Sequence, residues 1–326
     1  MDELYAGVDI HRQNYVGCIV DGAGKVVFER SFPPTKEGVQ SFFSGMPVKS
    51  VAVEACGMWR ASMKLFREQG YDVKLTSPKK TKDIAGKKKT DKVDAKTLAN
   101  LLRTGFLPEV YIPSDEMLQY RDIARQKEEL TNMRVKVQVK IKSYLLREGI
   151  AYKDKLWSKE GIRWLSSLEN QNTPMLLRIY HQIRQEEKAT MAKIRNISGS
   201  MRLTNILMTM DGIAEFSSLM TLSEIADINR FPTPKHLVMY AGLCPGIYQT
   251  GNTKRDVISQ AVNKHLKWII TECSGRASQI KGSRFQAYYA KICKRKGPKV
   301  ARRATARKML TIIWHMLKNE EPYHAS

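Results

Sequence analysis

Four acidic residues in this chain stand where a carboxylate is hard to explain by folding alone. Asp9 lies in the run Ala6 to Ile10, Glu54 in Val51 to Gly57, and Asp91 and Asp94 in the lysine-rich run Lys87 to Lys96. The first two end apolar, β-branched stretches, Tyr5 to Ile10 and Ser50 to Ala55, that read as buried strands. A lone carboxylate there is unfavourable unless a cation compensates it, so the pattern points to a metal site. Asp91 and Asp94 are three apart at the start of a helix-like segment running to about Arg103, so both project from one face. Two strand-tip acids and a helical acid pair can converge on hard divalent cations, which prefer carboxylate oxygens. The competing reading of the pair is a solvated basic loop followed by acids that merely favour the helix dipole.

The surrounding charge narrows the substrate. With 55 Lys and Arg against 32 Asp and Glu, the formal net charge is +23, and a soluble chain this basic points to a polyanion, nucleic acid first. Residues 79 to 96 hold eight Lys and three Asp, and Lys87, Lys88 and Lys89 are candidate nucleic-acid contacts. Carboxylates in a lysine field describe a metal site that receives phosphates, and the strand-tip acids turn that reading toward metal-assisted phosphoryl transfer. The 326 residues leave room for two or three domains. Five scattered cysteines without paired spacing fit thiols of a reducing cytosol, and six histidines show no metal-ligand spacing. With no secretion signal and no apolar span, a cytoplasmic, nucleoid-associated protein without a membrane partner is expected.

The elements that must position these acids follow from periodicity. Residues 4 to 20 alternate as strand, Asp21 to Gly24 form a turn, and Lys25 to Ser31 return as strand. A helix over Thr35 to Ser44, the Glu54 strand, a helix from about Trp59 to Gln69, a strand over Asp72 to Thr76, a lysine loop and the Asp91 helix follow. The resulting order, βββαβαβα, is that of an RNase H-like nuclease domain, closed by Pro108 and Pro113. Beyond it, Leu130, Met133, Val137, Ile141 and Leu145 form a helical stripe interleaved with cations, read as packing or a coiled coil first and as a nucleic-acid face second. A second packing stripe, Leu176, Leu177, Tyr180, Ile183, Met191 and Ile194, occupies Pro174 to Ile197. Tyr248 to Arg255 is a loop rich in hydroxyls and cations, ahead of a helix from about Ser259 to Ile280. Residues 291 to 308 carry nine Lys or Arg and no acid, so Arg302 and Arg303 are candidate phosphate contacts.

These residues resemble a known family. Gly7 to Asp9, Val53 to Gly57, Lys89 to Ala95, and the run Phe231 to Gly251 with Ile258 to Asn263 are similar, in order and over nearly the whole chain, to the DEDD transposases of insertion sequences. That group is related to the pilin-gene invertase and includes bridge-RNA-guided recombinases. The resemblance implies a RuvC-like DEDD nuclease domain at 1–112, a helical coiled-coil region at 113–200, and a mostly helical transposase domain at 201–326. It further implies Mg²⁺ on Asp9, Glu54, Asp91 and Asp94, with a two-metal site possible, and a hydroxyl that attacks phosphorus to leave a protein-DNA phosphoester. Donor and target DNA, a structured guide RNA and a homo-oligomer, dimer or tetramer, are the implied partners. The implied site joins the acids of one protomer to the hydroxyl of another.

One position departs from the family, which carries serine where this chain has Thr250, in the run Tyr248 to Gly251. Threonine keeps the hydroxyl, but its β-methyl crowds the attack and restricts χ1. Thr250 as nucleophile, an impaired RNA- or DNA-binding relative, and another hydroxyl such as Ser259 all stay open, with Ser259 reading better as a helix N-cap. Lys254 and Arg255 beside that hydroxyl are candidate phosphate or transition-state contacts, with general backbone binding as their alternative. A junction-resolvase-like metal nuclease needs only the four acids and water, so the second, hydroxyl-bearing domain separates the leading reading from it.

Overall fold

Alternation of apolar residues with a period of two builds the N-terminal sheet of this computed structural model, which describes residues 3–84, 90–152, 155–168, 172–244, 247–250, 253–256 and 262–324. The chain divides into two units, Met1–Ile112 and Pro113–Ser326. In the first, β1 (Leu4–Ile10), β2 (Tyr15–Val20) and β3 (Val26–Phe32) precede α1 (Lys36–Phe43), β4 (Val48–Glu54), α2 (Trp59–Arg67), β5 (Asp72–Thr76), α3 (Pro78–Ile84) and α4 (Asp91–Arg103). The sheet order is β3-β2-β1-β4-β5. The first three strands are antiparallel, whereas β4 runs parallel to both β1 and β5. Ala6, Val8, Ile10, Val51 and Val53 pack on one face with Phe42 of α1 and Phe66 of α2. Alternation sends Gly7 and Asp9 to the other face, where α4 lies.

Gly7 sets how close α4 can come. A Cβ at that position would stand 2.2 Å from the Ala95 carbonyl oxygen and 2.4 Å from the Ala99 nitrogen, so the helix backbone rests directly on β1. Thr90 caps α4, accepting from the Val93 amide, and Arg103 donates from Nη1 to the Gly22 carbonyl at 3.1 Å, fixing the far end. Part of the lysine segment read as a loop is helical, as α3. Charge dominates its composition, and what seats it is Thr81, only 3 % exposed.

Among the described residues, the second unit is helical apart from one hairpin: α5 (Asp115–Arg147), α6 (Lys159–Ser166), α7 (Asn172–Ser200), α8 (Arg202–Met208), α9 (Glu215–Ile225), α10 (Pro234–Tyr240), β6 (Ile247–Thr250), β7 (Thr253–Asp256), α11 (Lys264–Ala277), α12 (Arg284–Lys296) and α13 (Pro298–Asn319). Val137, Ile141 and Leu145 of α5 meet Leu177, Tyr180 and Ile183 of α7, as the two stripes require. Met133, expected in the same stripe, is exposed. The facing row there is polar: Thr131 Oγ1 and Arg134 Nε donate to buried Glu187 at 3.0 and 2.8 Å, with Lys127 Nζ at 3.4 Å. A larger core gathers α8 to α13 around Leu207, Leu237, Ile270, Met309 and Ile313. The helix expected from Ser259 starts instead at Lys264, capped by Asn263, whose Oδ1 accepts from the Leu266 amide at 2.9 Å. Ser259 lies outside the described residues.

Candidate active site

The register places Val8 opposite Val53, so Asp9 and Glu54 are the next residues on neighbouring parallel strands. Asp9 meets the first turn of α4, which carries Asp91 and Asp94. His11 joins them: its Nε2 lies 3.1 Å from Asp9 Oδ2 and 3.4 Å from Asp91 Oδ2. Among the described residues, ligand atoms of Asp9, His11 and Asp91 fall within 4.8 Å of one another. Burial raises the Asp9 pKa from its ordinary value; His11 opposes this, while the charges of Asp91 and Asp94 add to it. Crowded acids with one desolvated member leave negative charge that a cation would neutralise, and a set of carboxylates with one imidazole fits a divalent ion.

Glu54 is held differently. Its Oε1 accepts a hydrogen bond from the Thr81 hydroxyl of α3, so the carboxylate is oriented by that helix. Of the four predicted acids, the structure gathers Asp9 and Asp91 most closely, brings Asp94 within electrostatic reach of Asp9, and ties Glu54 to Thr81. His11 and Thr81 were missed. His11 stands just past the end of β1, two residues beyond Asp9, and that nearness in the chain is the one signal that could have found it. Nothing in the composition around Thr81 marks it.

Thr250 ends β6 and pairs with Thr253 across a two-stranded antiparallel hairpin; Gln249 pairs with Lys254 and Tyr248 with Arg255. Gly251 and the three lysines Lys87, Lys88 and Lys89 lie outside the described residues. The chain on either side of the hairpin is closed by direct contacts. The Asn263 amide donates to the Tyr240 carbonyl at 2.8 Å. Gly242, at φ +66°, packs so that a Cβ would meet Val262 side-chain carbons at 2.9 Å. Asn263 Nδ2 reaches the Glu224 carboxylate at 2.7 Å and the Tyr240 hydroxyl at 2.9 Å. Glu224 is fully buried and also accepts from Arg125 through Nε at 2.7 Å and Nη2 at 2.9 Å. Arg121 and Arg230 donate to the carbonyls of Ser223 and Ile225, the last turn of α9, where cations suit the helix dipole. Ala226 ends that helix at φ 59°, ψ −74°, a strained conformation that costs about 1–3 kcal/mol.

The basic C-terminal stretch has a mixed disposition. Arg303 is exposed. Arg302 is engaged within the fold, donating to Glu272 Oε1 at 3.0 Å and to the Thr271 carbonyl at 3.4 Å.

Residues 6–149 match the DEDD transposase model of the IS110 type, and residues 204–290 match the transposase model of the IS116/IS110/IS902 family. The y4qE protein of Sinorhizobium fredii, which carries a transposase name, is 25% identical over 83% of this chain and 71% of its own length. The transposase for insertion sequence element IS1111A of Coxiella burnetii is 22% identical over 97% of this chain and 90% of its own. The pilin gene-inverting protein of Moraxella bovis is 23% identical over 99% of this chain and 98% of its own. Two matches in family order, one holding the acids and one the hairpin, together with relatives aligned over most of their length, lead to one assignment: the chain belongs to the IS116/IS110/IS902 family of transposases, with an N-terminal part of the DEDD type.

Proposed function

We propose that this chain is an insertion-sequence recombinase that exchanges DNA strands by metal-assisted phosphoryl transfer, with Thr250 as nucleophile and a structured RNA selecting the DNA by base pairing. The observation that carries the reading is the convergence of Asp9, His11 and Asp91 at the end of β1, in a sheet ordered β3-β2-β1-β4-β5. That order supports an RNase H-like fold for the first unit. Asp9, Asp91, Asp94 and Glu54 would hold Mg²⁺. His11 lies against two of these acids, 3.1 Å from Asp9 and 3.4 Å from Asp91, and would steady them beside the ion. When bound, the metal would polarise the scissile phosphate and stabilise the leaving oxygen.

The protein's own part is positioning and covalent attack. The Thr250 hydroxyl loses its proton and forms a bond from Oγ1 to phosphorus; the bond from phosphorus to a deoxyribose oxygen breaks, and that oxygen leaves as a hydroxyl after taking up a proton. One phosphoester replaces another, so a second strand's hydroxyl can reverse the step and seal the exchanged DNA. The surplus of cations supplies backbone affinity for both nucleic acids, leaving sequence choice to pairing. Acids and hydroxyl from different protomers of an oligomer complete the site.

Thr250→Ala is expected to abolish the covalent DNA adduct while Thr250→Ser keeps it, and Asp9→Asn or Asp94→Asn removes metal-dependent strand transfer with the protein still folded. An adduct that persists in Thr250→Ala excludes this nucleophile, and DNA hydrolysis without any adduct makes the chain a metal nuclease. Mixing Asp9→Asn with Thr250→Ala chains restores activity if the site is shared between protomers. Sequencing nucleic acid recovered with the protein from cells carrying its native flanking DNA tests the guide: one discrete RNA supports it, heterogeneous RNA and DNA do not.

A further inference from the structure

We propose that Glu224, acting through Asn263, is a positioning residue for the hairpin that carries Thr250, and so sets the rate of strand attack. The inference rests on the reading of Thr250 as nucleophile. The hairpin lies between Cys244 and Val262, and the chain on its two flanks meets at the Asn263 side-chain amide, which also reaches the Glu224 carboxylate. On the leaving side, the Tyr240 hydroxyl accepts from Asn263 Nδ2 at 2.9 Å. On the returning side, the same nitrogen donates to Glu224 Oε2 at 2.7 Å while Asn263 Oδ1 caps α11.

A buried charge is a poor way to gain stability. Desolvation offsets the attraction, and an apolar replacement of similar shape often does as well or better. Here the full set is nonetheless spent on one carboxylate: Arg125 in a two-pronged pair, Arg121 Nε at 3.5 Å and the Asn263 amide, at a residue with no exposed surface. Burial alone would raise the Glu224 pKa, yet Arg125, Asn263 and Arg121 hold it below the ordinary value, so it stays ionised and keeps all of these donors. Such an arrangement has directional geometry, which apolar packing lacks. What it fixes is the pair of anchor points Tyr240 and Asn263, and a small shift at the base of a hairpin displaces its tip. Misplacing a reacting group by about 1 Å can cost on the order of 100-fold in rate.

Two variants separate position from mere stability. Glu224→Gln keeps the size and can still accept from Asn263 but removes the charge that holds Arg125. Asn263→Ser keeps a side-chain cap for α11 and loses the amide that reaches Glu224. With each, covalent adduct formation at saturating DNA, the DNA concentration giving half-saturation, and amide exchange across residues 247–250 and 253–256 are measured. The expected result is a rate lowered about 10- to 100-fold, an unchanged half-saturation, and faster exchange confined to the hairpin. A folded variant with wild-type rate and wild-type hairpin exchange overturns the proposal, as does a loss confined to DNA affinity. Should Glu224→Gln fail to fold, Asn263→Ser, at a partly buried side chain, decides alone. If the wild-type protein forms no adduct at Thr250, the nucleophile assignment fails by itself, and hairpin exchange still decides the anchoring: faster supports it, unchanged overturns it.

Discussion

Asp9 carries two opposed demands. Folding places it at a strand end where burial and two neighbouring acids work against its charge, whereas a cation site needs that charge. The sign follows from the raised pKa: relative to the unfolded chain, Asp9 favours the fold when protonated and disfavours it once pH rises past its folded value. At neutral pH the metal-free protein therefore bears the cost. Asp9→Asn is expected to leave the melting temperature in chelator unchanged or higher, and to remove the rise in melting temperature that Mg²⁺ gives the wild type. A lowered melting temperature in chelator would make Asp9 a structural acid. The acids themselves were legible in the sequence because a carboxylate at the tip of an apolar strand is costly unless a cation meets it. His11 and Thr81 were not, because a hydrogen bond from an ordinary loop or helix residue leaves no periodic trace.

Helix α4 shows how an element converts one residue type into site geometry. Its first turn presents Asp91 and Asp94, but their distance from Asp9 is set at Gly7, where no side chain separates helix from strand. Gly7→Ala is expected to cost about 1–3 kcal/mol by overpacking against backbone that has no rotamer to give. It should also weaken Mg²⁺ binding, read by calorimetry, since the helix must lift from β1; unchanged metal affinity would place the control elsewhere. Strands, the main helices and the α4 acid pair could be read from periodicity and capping residues. The start of α11 could not: Ser259 and Asn263 are both good caps, and Asn263, which caps α11, is also held by Glu224, far upstream and invisible to a local pattern. Met133 failed for a related reason, since Glu187 on α7 draws a polar row of α5 inward where an apolar one was expected.

At the scale of the molecule, the two units hold their buried carboxylates with opposite sign. Asp9 in the first has a raised pKa; Glu187 and Glu224 in the second are lowered despite burial, by Thr131, Lys127 and Arg134 and by Arg125, Asn263 and Arg121. The stability owed to Glu187 and Glu224 is complete above the ordinary glutamate value of about 4.3 and is lost as pH falls through their lower folded values. Asp9 moves the other way. Thermal melts from pH 6 to 3, followed by tryptophan fluorescence in a Trp59→Phe background whose remaining tryptophans all lie in 113–326, are expected to show the melting temperature of that unit falling on acidification. If Glu224→Gln keeps the full acid sensitivity, this carboxylate is not its source. Net charge and the order of motifs made the nucleic-acid class legible from sequence, while the closure of the hairpin at Tyr240, Gly242, Val262 and Asn263 was not, because its contacts join residues on both sides of a segment with no pattern of its own. That closure has a practical consequence for protein engineering. Because the contacts at Tyr240, Gly242, Val262 and Asn263 all lie outside residues 245–261, that stretch is the one to exchange between relatives, and because each doubling of loop length costs only about 0.6 kcal/mol, segments of unequal length can be grafted between the same two anchors.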